Sequence, residues 1–287
     1  MVDSMVSKAS RFTAKPSGGW MSIPGLLLIG AVILMPVGVL LVRSVLEPEV
    51  GLGNYTELAQ DETTQTVLLR TFRTSFVITL ITLALAYPYA YTMARVGGRM
   101  RAVMVALVLL PYWTSLMART FAWLILLQEG GFVQSTLAFI GLDVRLAGTN
   151  LGMTIGMVQM LLPFMVLPLY STMRGIDGKL LAAARSLGAN KMRAFWRVYA
   201  PLSAPGVAGG SILVFILALG FYVTPRILGS PQQAMIAELI VTRVDQLLDF
   251  GGAGAIALVA LVVTMLLLLL MSRVINPSKA LGLTNDE

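Results

Sequence analysis

Residues 251–272 read GGAGAIALVALVVTMLLLLLMS, a run without a single charged side chain. A helix needs about 20 mostly apolar residues to cross the hydrocarbon core of a bilayer, so this run predicts a membrane span. Five further runs of this kind precede it, at residues 21–42, 74–94, 102–118, 146–173 and 198–225. The sequence therefore predicts an all-α, polytopic membrane protein with six transmembrane helices.

Three of these runs have uncertain ends. The third continues to be apolar as far as residue 128, and the fourth is longer than a span needs, so its start is expected to be a loop. Within the fifth run we expect the helix at residues 201–222. The first run is too long for the core of a cleaved signal peptide and is expected to remain as the first span.

The composition excludes most classes of enzyme. Of the 287 residues 57% are hydrophobic and 12% are charged, and the chain has no Cys and no His. Without a thiol or an imidazole there can be no Cys nucleophile, Ser-His-Asp triad, disulfide or typical zinc site. Metal binding through carboxylates alone stays possible, although the chain has only 14 acids. We expect no catalytic residue, no metal site and no cofactor of its own.

The basic residues of the chain predict its orientation. Six spans place both termini on one side, and 14 of the 21 Lys and Arg residues fall on that side, whereas ten of the 14 acids fall on the other. Short cytoplasmic loops are rich in Lys and Arg, so both termini are predicted to be cytoplasmic. The net charge of +7 is then a sign of topology and not of nucleic-acid binding. We divide the chain into a cytoplasmic segment (1–19), a six-span domain (20–275) and a cytoplasmic tail (276–287).

The loop between the fourth and fifth spans reads GIDGKLLAAARSLGANKMRAFWRVYAP, residues 175–201. Asp177 is a suitable N-cap for a first short helix, and Gly188 stands where a glycine can end it. Asn190 can cap a second helix, which Pro201 is expected to close before the fifth span. The residues alone leave two functions open for this loop: insertion into a groove on a soluble partner, or an amphipathic segment lying on the bilayer.

The same loop resembles a known family. Ala183, Ala184 and Gly188, followed after nine residues by Val198 and Pro201, resemble the "EAA" loop of ABC-importer permeases. The stretches PYWTSLMARTFAW (111–123) and GFYVTP (220–225) resemble the spermidine/putrescine-type branch of that family. The resemblance implies the type I ABC importer permease fold, with cytoplasmic coupling helices in the loop at residues 175–200.

The resemblance also implies a function and a set of partners. The chain would be a transport subunit, not an enzyme, in the bacterial inner membrane, forming half of a translocation pathway for a small solute. Two ATPase subunits would bind and hydrolyse ATP, and an extracytoplasmic binding protein would deliver the solute. A polyamine such as spermidine or putrescine is the first expectation. Iron, a phosphonate or an opine are alternatives, and an ion-coupled secondary transporter is a more distant one. The coupling loop would act through Ala182, Ala183, Ala184, Arg185, Gly188 and Pro201.

One position of the loop departs from the family pattern. The motif begins with Glu, and Ala182 stands in its place. In the family that acid helps to hold the loop against the ATPase, so its loss predicts weaker coupling in this half of the pore. We therefore expect a second permease subunit that is a different chain, with a second copy of this chain as the alternative.

Candidate pathway residues are the aromatic and basic side chains near the third and fifth spans. Trp113, Trp123 and Tyr222 could meet an amine cation through their rings, or could serve as interfacial anchors or in packing. Arg119 lies roughly 26 Å along a straight third span, near its outer end, as a gate residue or an interfacial one. Three outer acids could attract a cation or contact the binding protein, or could simply be solvated: Glu129, Asp245 and Asp249.

Pairs of small residues favour close helix packing. Gly152 and Gly156 form one GxxxG pattern, and Gly206 and Gly210 form a second. These patterns fit packing inside the chain or an interface between subunits.

Overall fold

The computed structural model describes residues 19–47, 49–142 and 144–274, and over these ranges the chain is helical, with no strand. The expected tail at 276–287 lies outside these ranges, as does the expected N-terminal segment apart from residue 19. The helices are α1 (Gly19–Leu46), α2 (Gly53–Gln60), α3 (Glu62–Arg95), α4 (Gly98–Leu109), α5 (Leu116–Leu127), α6 (Phe132–Phe139), α7 (Asn150–Arg174), α8 (Gly178–Ser186), α9 (Lys191–Ala194), α10 (Ala200–Leu219), α11 (Val223–Leu228), α12 (Ile236–Asp245) and α13 (Phe250–Val274). Two 3₁₀ turns cover Leu110–Trp113 and Pro231–Gln233, and a π-helical turn covers Phe195–Tyr199.

Five helices of the described residues are long and apolar enough to cross a membrane, and a bent pair of helices makes a sixth if the pair is one span. The bent pair is the third predicted span. Its two limbs, Gly98–Trp113 and Leu116–Phe139, meet at an angle of 99°. Thr114 and Ser115 are extended between them, next to Pro111, which cannot donate a helical hydrogen bond. The prediction of a continuous span was wrong here, and the straight-helix distance assigned to Arg119 does not apply.

The core of the bundle is formed by α3, α7 and α10, with α7 packed against both of the others. Its central side chains are buried, among them Ile78, Met157, Leu161 and Met165. The outer helices α1 and α13 pair with each other at the side. The end of the bundle where α3 and α7 finish is called the α8 end below.

Both small-residue patterns serve packing inside the chain. A Cβ atom at Gly206 would lie 2.8 Å from the side chain of Thr172, and one at Gly210 would lie 2.8 Å from the sulfur of Met165. Gly156 likewise faces the Leu228 side chain of α11, and Gly152 faces the backbone of Leu146. Since these neighbours leave no room for another subunit, the intrachain interpretation is the right one.

The fifth span differs from its prediction at both ends. The helix after Lys191 runs without a break to Leu219, because the π-helical turn at Phe195–Tyr199 leads directly into α10. Pro201 therefore does not close the second loop helix; it lies in the first turn of α10. The wider π turn shifts the carbonyls that precede Pro201, which relieves the clash that a proline ring makes in an α-helix. At the other end the helix stops before Gly220, and α11 follows as a separate short helix.

A charged cluster stabilises the end of the bundle opposite the α8 end. Nη1 of Arg243 lies 2.9 Å from Asp249 and 4.0 Å from Glu57, and Nη2 lies 3.5 Å from Asp61. The Arg243 side chain is only 15% exposed. Asp61 is the N-cap of α3, and Asp249 accepts a 2.7 Å hydrogen bond from the Gly252 backbone at the start of α13. One guanidinium thus joins α12 to the first turns of α3 and α13.

This cluster makes the stability of the protein depend on acidity. The pKa of Asp61 lies below its ordinary value of 3.8, chiefly because the Thr64 hydroxyl donates to the carboxylate, helped by backbone N–H groups and by Arg243. A carboxyl with a lowered pKa stabilises the folded state fully above pH 3.8, and this contribution is lost as the pH falls through the lowered value. We expect Asp61→Asn to flatten the loss of stability on acidification, measured as the unfolding temperature against pH. The same change at the exposed Asp245 should leave that profile as it was.

Candidate functional site

The loop at the α8 end is built as its sequence predicts. Asp177 accepts a 2.9 Å hydrogen bond from the Lys179 backbone and so caps α8. Gly188 has φ +86°, a left-handed conformation that ends α8 and that glycine adopts without strain. Asn190 accepts a 2.8 Å hydrogen bond from the Arg193 backbone and caps α9. These three caps fix the path of the loop.

The outer face of α8 presents apolar side chains to solvent. Leu187 is 89% exposed and Leu180 is 46% exposed, and the exposed Ala183 lies between them on the same face. The other predicted coupling residues are also at the surface: Ala182, Arg185 and Gly188 are exposed, and Ala184 is half-buried. Exposed leucines beside small residues, on a helix held by caps, form a surface suited to a groove on a partner protein.

Aromatic side chains connect this loop to the core. The Phe195 ring contacts the Tyr91 ring edge to face at 5.7 Å, and Tyr199 contacts Tyr91 at 5.1 Å. Arg95 lies 3.8 Å above the Tyr91 ring. The large apolar side chains of the second loop helix differ in environment, because Met192 and Trp196 are exposed whereas Tyr199 is buried. The loop is thus joined to the end of α3 by packed rings.

The candidate pathway residues lie on and around α5, which packs against α11 and α7. The indole nitrogen of Trp123 donates to Gln159 of α7 at 3.3 Å. Arg119, one turn earlier on α5, lies 5.7 Å from the Tyr112 ring, and its Nε atom is buried without a partner. Tyr222, just before α11, accepts a 2.6 Å hydrogen bond from Arg226. Trp113 is 83% exposed at the bend of the third span.

The four candidate pathway residues do not contact one another directly, although the helices that carry them are neighbours. Within the described ranges, no hydrogen bond or ring contact joins Trp113, Arg119, Trp123 and Tyr222 to one another. Their helices meet instead through Thr120 of α5, whose hydroxyl lies 3.5 Å from that of Thr224 in α11.

Sequence reasoning missed Gln159. It is nine residues into α7, or about 14 Å from the start of that helix, so it lies near mid-span. A signal for it was present, because Gln159 is an amide in an otherwise apolar run, and polar residues within spans mark functional sites. Trp123 and Gln159 together place a polar pair between α5 and α7.

The three outer acids have different environments. Asp249 belongs to the cluster around Arg243, at 2.9 Å, and is therefore structural. Glu129 lies 3.7 Å from Arg145, with both side chains 76% exposed. Asp245 is exposed. Of the three, Glu129 and Asp245 remain accessible to a partner.

Comparison with known proteins identifies the family. The profile of the family described as "Binding-protein-dependent transport system inner membrane component" matches residues 83–280, more than half of the chain. The chain belongs to this family. The matched residues include both the α8 loop and the region formed by α5, α7 and α11 of this permease.

Individual relatives agree with this assignment. The permease is 33% identical over 258 residues to "Spermidine/putrescine transport system permease protein PotB" of Escherichia coli, which covers 87% of this chain and 92% of the relative. It is 32% identical over 241 residues to "Inner membrane ABC transporter permease protein YdcU" of the same organism, covering 79% and 76%. It is 30% identical over 216 residues to "Probable molybdenum ABC transporter permease protein HVO_B0370" of Haloferax volcanii, covering 74% and 77%.

Solved structures share the fold. A chain of a bacterial ABC transporter "involved in the import of the acidic polysaccharide alginate" superposes with a TM-score of 0.66 at 17% identity, covering 92% of this chain and 95% of that one. The expected ABC importer permease fold is confirmed. The chain is a transport subunit of the inner membrane, and by its family it works with a substrate-binding protein. An ion-coupled secondary transporter is not supported.

Proposed function

We propose that the permease forms half of the translocation pathway of an ATP-driven polyamine importer. The observation that carries this proposal is the 33% identity to the spermidine/putrescine permease PotB over 87% of the chain. The geometry is compatible with an amine cation, because Trp123 and Gln159 offer a ring face and an amide oxygen near mid-span. The relative named for molybdenum is more distant, at 30% identity over 74% of the chain, and makes an oxyanion the second candidate.

The proposed mechanism starts at the outer face of α8. Two ATPase subunits bind ATP, and one of them receives Leu180, Ala183 and Leu187 in a groove. Closure of the ATPases displaces α8, and the packed rings of Phe195, Tyr91 and Tyr199 carry the displacement to α3. Movement of α3 against α7 and α10 would open the pathway to the other side of the membrane, as rigid helices shift in alternating access.

The same proposal covers the second permease subunit and the orientation of the chain in the membrane. Both termini are cytoplasmic, as the 14 basic residues on that side favour, and the α8 loop faces the ATPases. The second permease is a different chain that keeps the Glu for which Ala182 stands here. If the purified importer contained two copies of this chain and no other permease, the heteromeric arrangement would be excluded.

Reconstituted transport tests the proposed substrate. We expect proteoliposomes that contain the permease with its partner subunits and ATP to accumulate radiolabelled spermidine or putrescine only when the binding protein is present. Molybdate, iron, a phosphonate and an opine are supplied in parallel vesicles. Uptake of one of these solutes without uptake of a polyamine would contradict the proposed substrate, but it would still agree with the proposal that the chain belongs to an importer. Polyamine uptake that an ionophore abolishes while ATP persists would contradict ATP coupling.

The Trp123–Gln159 pair gives a sharper test of the pathway. Gln159→Leu removes the acceptor of the indole hydrogen bond, and we expect the rate of uptake to fall by about fivefold, as for the loss of one hydrogen bond near 1 kcal/mol. The matched control is Gln246→Leu, since Gln246 is an exposed residue outside the core. Equal uptake by the two variants would show that the pair is not part of the pathway.

A further inference from the structure

A basic cavity of about 380 Å³ lies beneath α8. Three arginines line it, each from the last turn of a different helix: Arg95 of α3, Arg174 of α7 and Arg185 of α8. Arg174 donates to the Tyr170 hydroxyl at 3.2 Å, and Arg95 lies against aromatic rings. Across the ranges that the structure describes, no carboxylate lies within ion-pair distance of any of the three. Three exposed arginines therefore line one cavity, and within these ranges none of them is paired with a carboxylate.

A tyrosine ring also lines this cavity. Tyr199 is 3% exposed, and its hydroxyl oxygen is fully buried. Arg95 approaches Tyr199 over the ring, with its Cζ atom 5.0 Å from the ring centroid. The Tyr199 ring therefore supports Arg95 beside the cavity, and the hydroxyl is not a donor to a ligand in it.

The remaining wall of the cavity is apolar, and among the residues that the structure describes it contains no acid. It is lined by Ala94, Met173, Ile176, Gly178, Leu181 and Ala182. The nearest acid in sequence, Asp177, is not part of the lining, and its carboxylate is used by the Lys179 backbone at 2.9 Å. A Glu at position 182 would bring a carboxylate to this space, and here that negative charge is missing.

We propose that this cavity binds a phosphate group. Guanidinium groups donate hydrogen bonds in pairs to phosphate and to carboxylate. Here the donors are three guanidinium groups, and they come from three different helices. A tetrahedral phosphate can accept from all of these directions, whereas a planar carboxylate has only two oxygens. The phosphate comes from the headgroup of an acidic phospholipid or from free phosphate, and basic pockets between the ends of membrane helices are known to take headgroups.

The test uses the purified full-length chain and two probes. The first is radiolabelled inorganic phosphate at equilibrium in a zwitterionic detergent. The second is phosphatidylglycerol, counted by native mass spectrometry after extraction from nanodiscs that contain phosphatidylglycerol and phosphatidylcholine. Binding of the lipid identifies a headgroup as the source, and binding of inorganic phosphate alone identifies a soluble one; either result supports the proposal.

Matched variants distinguish binding in the cavity from a general attraction of the probe to positive charge. The cavity variant combines Arg95→Gln, Arg174→Gln and Arg185→Gln. The control combines three exposed arginines outside the cavity: Arg99→Gln, Arg193→Gln and Arg197→Gln. Net charge is the same in both. We expect affinity for the probe to fall at least about tenfold in the cavity variant and to stay within about twofold in the control. An equal loss in both, or no binding of either probe by the unmodified chain, overturns the proposal.

A milder variant protects the test against misfolding. Ala182→Glu places a carboxylate in the cavity, and we expect it to prevent binding of both probes while the chain remains folded. If Ala182→Glu left the binding of both probes unchanged, the probes would bind outside this cavity, and the proposal would be wrong. The transport proposal does not depend on this outcome, since binding is measured on the isolated chain.

Discussion

Gly188→Asp is expected to abolish the stimulation of ATP hydrolysis by loaded binding protein, while the chain still inserts and assembles in the membrane. Gly188 is exposed at the end of α8 with φ +86°, next to the apolar surface of Leu187. An aspartate there places an unpaired carboxylate in a contact that excludes water when the ATPase docks. Such a charge costs at least about 2 kcal/mol, which corresponds to a loss of about thirtyfold.

The control for this experiment is the same substitution in the preceding loop at the α8 end. Gly98 is exposed, has open space around its Cα and begins α4, where an acidic side chain is favourable. Gly98→Asp should therefore keep stimulated hydrolysis within about twofold of the unmodified importer. Substrate-stimulated hydrolysis in proteoliposomes is the measurement. If Gly188→Asp retained full stimulation, α8 would not be the surface that receives the ATPase.

Arg243→Met is expected to cause the largest loss of stability. It removes the guanidinium that joins Asp61 to Asp249 and leaves both carboxylates without their shared partner. Breaking a fully buried ion pair costs about 3–5 kcal/mol, but Asp249 is 33% exposed and Asp61 is 29% exposed, so water offsets part of that cost. We expect about 2 kcal/mol, or a fall of about 5 °C in the unfolding temperature in detergent.

An exposed ion pair on the same chain serves as the control. Arg145 and Glu129 lie 3.7 Å apart and are each 76% exposed, so Arg145→Met should lower the unfolding temperature by less than about 1 °C. The difference between the two variants measures how much the buried position of Arg243 contributes. Comparable unfolding temperatures for both would show that the cluster around Arg243 contributes no more than a surface pair.

Local features of this permease were predictable because their physical causes are local. Asp177 and Asn190 cap helices with side chains that reach backbone groups two or three residues away, so the sequence is sufficient to predict them. Gly188 likewise ends α8 through its own backbone conformation. The loop from Asp177 to Asn190 therefore follows its predicted path, with α8 and the start of α9 where the sequence predicts them.

Predictions of where a helix ends or runs on without a break were less successful. Pro201 was expected to end a helix, because a proline in the interior of an α-helix removes a hydrogen bond and clashes. A π-helical turn before it changes the spacing of the carbonyls, and the helix continues. The third span was expected to be continuous because hydropathy is a sum over residues, and a sum does not register the 99° turn after Trp113.

The sequence by itself determined the class of the protein, its long apolar helices, the caps of its loop and the family to which it belongs. Each of these follows from composition or from short spacings, which do not change when the chain folds. Only the tertiary structure decided that Trp123 meets Gln159, that Arg243 joins three helices, and that Arg95, Arg174 and Arg185 surround one cavity. These residues are up to 182 positions apart, and their contacts depend on which helix faces pack together, a choice made by the whole bundle.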